Sequence, residues 1–401
     1  MRNIPFFLVV LTLAARAVPS LALVVAACST TVPASRLTAP ASLEALMQHD
    51  PATAMYRANA QRTGEYPCHL PTPPEYRWQH TFYSGSMLSP IVSERYVGYG
   101  SGDGSYQLMD PLSGDVLFRW KAPRRSARSE MAFDGERVFV GLGYDLVAMG
   151  LEPAEELWRS TEGRSHAATP LLYREALYVN AIEPPPAKEA LLRKFDLEGK
   201  LLWEVRFPSR RPETQSVFVR GPAAMGELVV VSVQQRLYAL DLESGAESWN
   251  LELSQRYNLK MPVVAEELGI VFTRGDSLYA VQAETGTLLW SSSFEGRAAG
   301  ELTYSDGLVY LASQEGLVSA YDAQTGVVLW QQQRGEWAQT PIIAGDLLLY
   351  VELCSQLVHA LDKHSGEWRW TVSLREDARE LACYGDMLIA GGHTLHGLQS
   401  L

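Results

Sequence analysis

Four cysteines in 401 residues, none next to another, leave no room for a dense disulfide framework or a paired C-x-x-C redox or zinc site. Basic residues are also scarce. Lys and Arg number 34 against 46 Asp and Glu, a formal net charge of -12, which is a poor match for nucleic acid or anionic membrane surfaces. After Ala27 there is no apolar run long enough to cross a bilayer as a helix. Catalytic signatures are missing as well: there is no G-x-S-x-G elbow and no G-x-x-x-x-G-K phosphate loop. The glycine-rich Gly98–Gly104 stretch lacks G-x-G-x-x-G spacing and reads as a hairpin turn. His393 and His396, three apart on an expected strand, face opposite sides and do not suit one metal.

What is present is a repeat. Trp78, Phe118, Trp158, Trp203, Trp249, Trp290, Trp330 and Trp370 recur at intervals of 40 to 46 residues, the length of a four-stranded propeller blade. The surrounding text repeats too. Ala320-Tyr321-Asp322 leads to Thr325-Gly326 and Trp330, and Ala239-Leu240-Asp241 leads to Ser244-Gly245 and Trp249. Asp bonding the backbone ahead of it and Gly supplying a positive φ make each a hairpin, with the aromatic on the second strand. Departures are local: blade one has Phe118, blade two has Ala154 where Gly is expected, and blade three shortens its turn between Asp196 and Gly199.

The expected fold is all-β, an eight-bladed propeller of four-stranded antiparallel blades. Residues after Trp370 supply only three strands, and Trp78 lies one period too early for blade one. The Trp78 strand is therefore expected to complete blade eight, so that no sheet edge is left open at the seam. With strands lettered A to D from the centre outwards, D-to-A and B-to-C connections share one face, the loop face, and the tight A-to-B and C-to-D turns share the other.

The first residues resemble a bacterial lipoprotein signal. A long apolar stretch interrupted by Arg16 ends in Val25-Ala26-Ala27-Cys28-Ser29, with small residues before a cysteine that would be acylated. The expected organisation is a signal peptide over 1–27, lipidated Cys28 with a flexible tether over 28–55, and one propeller over 56–401 with a lead-in over 56–75. Removing Arg2 and Arg16 would move the net charge from -12 to -14. Of the remaining thiols, Cys68, Cys354 and Cys383, at most one pair can form. A 354–383 bridge is disfavoured because the two fall near opposite faces, and both read as small buried residues.

The A-x-D-x-x-T-G-x-x-x-W pattern across residues 78–401, preceded by Tyr56-Arg57-Ala58-Asn59-Ala60-Gln61-Arg62-Thr63-Gly64, resembles the pyrroloquinoline-quinone (PQQ) type propeller repeat. Two branches of that superfamily bear on function. The quinone-dependent dehydrogenases carry adjacent cysteines over the quinone and an acidic and amide cluster for calcium; this chain has no adjacent cysteines. The BamB-like lipoproteins of outer-membrane β-barrel assembly agree in length, lipobox and blade number. Val217-Phe218-Val219-Arg220-Gly221 resembles their partner-docking L-x-L-R-G tract, which makes Val217, Val219 and Arg220 the candidate partner-binding residues. Their two acids before the blade-five proline are not matched, since Tyr257 and Leu259 precede Pro262.

The resemblance implies a non-catalytic envelope scaffold, anchored by lipid and facing the periplasm from the outer membrane, with a protein partner and no cofactor or metal. Its candidate rim comprises Lys121–Arg128, Ala181–Glu189 and Phe207–Arg220. Alternatives are a periplasmic oxidoreductase using PQQ with calcium and a ligand-binding sensor, since propellers host many functions.

Overall fold

The computed structural model describes residues 53–82, 88–121, 127–142, 145–160, 169–182, 189–207 and 219–401, all within the compact unit His49–Leu401. The signal segment, Cys28 and Val217 lie outside the described residues, as does most of the candidate rim. The described residues form eight β-sheets, each built on four antiparallel strands. Blade six is representative: Ala298–Ser305, Leu308–Ser313, Leu317–Asp322 and Val328–Gln333 run outwards in chain order. The Gly98–Gly104 stretch forms the B-to-C hairpin of blade one.

The circle closes as expected. Glu75–Thr81 pairs antiparallel with Thr394–Gln399, placing Trp78 opposite Gly397 and completing the sheet begun by Ala378–Tyr384 and Met387–Gly392. Blade eight is thus shared by strands more than 300 residues apart in sequence.

The recurring tryptophans have one job. Each sits mid-way along a D strand and reaches the C-to-D turn of the next blade, where its indole N–H donates to a carbonyl. Trp78 bonds Pro111 at 2.9 Å, Trp158 bonds Leu197 at 2.9 Å, Trp203 bonds Leu242 at 3.2 Å, Trp249 bonds Ala283 at 2.7 Å, Trp290 bonds Ala323 at 3.0 Å and Trp330 bonds Lys363 at 3.1 Å. The ring lies against the glycine of the same turn. A Cβ at Gly286 would fall 2.6 Å from Trp249 Cδ2, and φ there is +69°, so both space and backbone demand glycine. The two departures in sequence answer one another: where blade one has Phe118, with no N–H to give, blade two has Ala154 in place of the turn glycine. Trp370 faces blade eight, where the chain ends replace the C-to-D turn, and its Nε1 has no partner among the described residues.

A second alternation runs along the inner strands. In blades one, three, five and seven these strands are short, Ile91–Val92, Leu171–Tyr173, Val263–Ala265 and Ile342–Ala344, and each follows a proline: Pro90, Pro170, Pro262 and Pro341. Proline has no N–H for the ladder, so pairing begins after it. In blades two, four, six and eight the inner strands are longer, Ala127–Asp134, Val219–Met225, Ala298–Ser305 and Ala378–Tyr384. Each carries a register break, between Ala127 and Met131, Arg220 and Ala223, Ala299 and Thr303, and Ala378 and Glu380. Such bulges re-aim side chains, here towards the axis.

The lead-in is folded from Thr53 onwards, within the stretch assigned to the tether. Thr53–Met55 pairs antiparallel with the inner strand of blade two, and Glu65–Tyr66 pairs parallel with that of blade seven. Between them the chain crosses the inner strands in turn: Ala60, Gln61, Thr63 and Gly64 accept from the N–H groups of Ala224, Val264, Tyr304 and Ile343. Cys68 then bridges Cys383 of blade eight, Cα to Cα 5.8 Å, leaving Cys354 free and exposed. The reading of both later cysteines as buried free residues is therefore corrected. Cys383 is buried but bonded, and the lead-in, not another blade, delivers its partner.

Two measurements test this architecture. Deleting residues 74–82 should abolish the cooperative melt, because it exposes the outer edge of blade eight and removes an aromatic whose loss costs about 3–5 kcal/mol. Trp330→Phe should cost about 1 kcal/mol more than Trp370→Phe in chemical denaturation, because only Trp330 gives up a hydrogen bond.

Candidate axial site at the loop face

The floor of the axis is built from two arginines of the lead-in. Arg57 and Arg62 are 2% and 0% exposed, and both have positive φ, 63° and 61°. That strain is held by a dense set of acceptors. Arg57 donates through Nη1 to Pro341 O at 3.0 Å and through Nη2 to Thr303 Oγ1 at 2.6 Å. Arg62 donates through Nε to Pro222 O at 3.0 Å and through Nη2 to Pro170 O at 2.9 Å. Two fully buried cations survive because carbonyls from blades three, four, six and seven replace their water.

One residue nearer the loop face lies a ring of side chains brought inward by the bulges. Counting back from the A-to-B turn, the same position holds Glu130 in blade two, Gly221 in blade four, Glu301 in blade six and Glu380 in blade eight. The proline-led entries of the odd blades clasp these glutamates. Ser89 N donates to both Glu130 carboxylate oxygens, at 3.1 and 3.3 Å, while its hydroxyl bonds Glu380. Met261 N donates to Glu301 Oε2 at 3.1 Å, and Glu301 N donates to Thr340 Oγ1 at 3.1 Å.

Electrostatics divide the ring. Burial pushes the Glu130 carboxyl up to about 8 and the Glu380 carboxyl up to about 7, although both keep some surface in the channel. Arg62 opposes the first shift and Arg57 the second. Burial lowers the Arg62 guanidinium to about 10. The Tyr56 hydroxyl, beneath the glutamates, is held well above its ordinary value by burial and then by Glu380.

On the blade-four and blade-five side the charge reverses. Lys260 Nζ stands 3.8 Å from Glu301 Oε1. Glu301 draws the ammonium up, but burial, Arg274 and Arg220 together leave it below its ordinary value. Arg274 is 5% exposed and donates through Nη2 to Ala298 O at 3.3 Å and to Gly300 O. Burial lowers its guanidinium, against the pull of Glu301.

Of the sequence candidates, Arg220 is exposed at the blade-four bulge and belongs to this mouth. Val219 does not present outwards: it is 9% exposed and packs in the core opposite Val233, because it and Arg220 are successive residues of a regularly paired stretch and face opposite sides. Tyr257 is 53% exposed and Leu259 buried, so the segment before Pro262 contributes Lys260 instead of acids. The glutamate ring escaped the sequence reading. A signal was there: Glu followed by a large aliphatic or Met, at Glu130, Glu301 and Glu380, recurs ten to twelve residues after a ring aromatic in alternate blades. His393 is exposed in the bend before the strand Thr394–Gln399, and His396 is buried within that strand.

Because Glu130 and Glu380 bind protons more tightly folded than unfolded, the folded chain holds more protons between about pH 5 and 8, and stability falls as pH rises through that window. Glu380→Gln should flatten that slope, stabilising the protein by at least about 1 kcal/mol at pH 8 while changing little at pH 5. Denaturation midpoints of both proteins across the window check it.

The structure is similar to known propellers. It superposes on BamB from Moraxella catarrhalis with a TM-score of 0.67 at 16% identity, covering 82% of this chain and 100% of that one. A computationally designed protein, Ika8, gives 0.69 at 16%, over 82% and 100%. Quinohemoprotein alcohol dehydrogenase ADHIIG from Pseudomonas putida HK5 gives 0.71 at 12%, over 87% and 80%. At these identities the likeness is one of fold. No curated protein matches the chain. Residues 102–258, 188–291 and 234–380 match the family described as outer membrane protein assembly factor BamB, and with most of the propeller so matched, the chain belongs to that family.

Proposed function

We propose that this protein is a non-catalytic scaffold of the bacterial cell envelope, anchored through lipidated Cys28, that holds a protein partner of β-barrel assembly at its loop face. The observation that carries the reading is the placement of Arg220. In a chain whose family match spans blades one to seven, this guanidinium stands exposed at the register break of an inner strand, at the mouth of the axis. Among the described residues it makes no ion pair, which leaves its planar fork free for a partner carboxylate or strand carbonyl. The Cys68–Cys383 bridge agrees with an oxidising compartment. No helix among the described residues is long and apolar enough to cross a membrane.

A calcium-held quinone is the other activity the fold suggests, and the residues at the axis do not fit it. Among the described residues no three His, Cys, Asp or Glu side chains converge as metal ligands, and the glutamates of the ring are held apart by clasping donors from the odd blades. Buried arginines fill the floor beneath them.

Arg220→Ala should weaken partner recovery by crosslinking in the native envelope by an amount equivalent to about 2 kcal/mol, with a nearly unchanged melting curve. If Arg220 only ties down its loop, the melt falls and recovery follows in proportion; unaltered crosslinking to a β-barrel assembly subunit would sink the docking reading.

A further inference from the structure

The chain as a whole is acidic, with a net charge of -12, yet three cations gather around one carboxylate between blades four, five and six. Their placement is enforced by the backbone. Lys260 N donates to Arg274 O at 2.8 Å, and Thr273 Oγ1 donates to Lys260 O at 2.9 Å, so Lys260, just ahead of the strand Val263–Ala265, lies beside the end of the strand Ile270–Arg274. Gly221 lets blade four come close, since a Cβ there would meet Met261 Sδ at 3.2 Å, and this sets Arg220 beside Lys260. Among the described residues the acid in contact is Glu301, committed to Met261 N and reached by Lys260 at 3.8 Å. Arg274 spends its donors on carbonyls and makes no ion pair among the described residues; its buried Nε has no partner there. Among the described residues two of the three cations, Arg220 and Arg274, thus have no acid paired to them at the mouth of the axis.

We propose that Arg220, Lys260 and Arg274 form a carboxylate site, which receives an acidic side chain from an extended segment of the protein partner. The assignment rests on the docking reading above and adds the chemistry recognised. A carboxylate suits the geometry better than a phosphate because Glu301 already borders the site: a single negative charge is balanced by the excess, while a dianion would press against that carboxylate. Arg220, exposed, supplies the first contact and the fork; Lys260, less exposed, completes the ion pair; Arg274, buried, contributes field without needing to move.

The test uses the full chain in detergent with a fluorescein-labelled hexaglutamate peptide, read by anisotropy at about 50 mM salt, where screening is weak. Saturable binding is expected, weakened about fivefold or more by Lys260→Gln and by Arg220→Gln but not by Arg174→Gln, whose partner is Glu227 at another place. Lys260→Glu should exchange the preference for hexaglutamate for one towards hexalysine. Lys260→Arg, which keeps the charge, should bind as the parent does, and this holds the test open if Lys260→Gln melts early. Absence of saturable binding, equal loss with Arg174→Gln, or displacement by inorganic phosphate at peptide-like concentrations each overturns the assignment. Partner recovery that still depends on Arg220 while the peptide fails to bind would overturn this site alone, leaving the scaffold reading in place.

Discussion

The contact on which the ring depends is the tryptophan laid across the neighbouring blade's C-to-D turn. It joins a large apolar surface to a single directional N–H···O bond, so each blade is both glued and indexed to the next. A pair of sheets packed only through aliphatic side chains could slide; one carrying a bond to a defined carbonyl cannot without losing it. The requirement then propagates into the next repeat, where the turn must expose a carbonyl and carry no Cβ against the indole. Phe118 and Ala154 relax together because the two halves of the contact are one unit.

A closed ring of this kind leaves a hole, and the lead-in fills it at one end. Its backbone is satisfied by amides of four successive inner strands, and its arginines by carbonyls from four blades. The segment thereby binds blades that do not touch one another. The positive φ of Arg57, Ala58 and Arg62 is the strain accepted for turning tightly inside the channel, and the Cys68–Cys383 bridge fastens the far end.

Charge at the axis follows from this floor. Burial raises the Glu130 and Glu380 carboxyls out of the ordinary carboxylate range, and the guanidiniums beneath them limit that rise. Blade four breaks the pattern, with Gly221 in the glutamate position and Arg220 just before it. The mouth is consequently polar in both senses, acidic towards blades two and eight and cationic towards blades four and five, with Arg220 the exposed cation of the second side.

The amino-acid sequence by itself determined the blade count, the closure by the Trp78 strand and the positions of the hairpin turns, because each depends on residues at a fixed local interval and on the steric demands of glycine. It also contained the two-blade alternation of prolines and glutamates, though that is visible only once inner strands are aligned on their turns. Tertiary structure alone decided the rest. Cys68 meets Cys383 across 315 residues because the lead-in circles the axis, a path no spacing rule encodes. Val219 lies inward and Arg220 outward as successive residues of a regularly paired stretch, and which of the two faces is buried is set by how blade four packs against its neighbours. Lys260 and Arg274 became one cluster with Arg220 for the same kind of reason: proximity at the axis is set by how eight inner strands converge, not by separation along the chain.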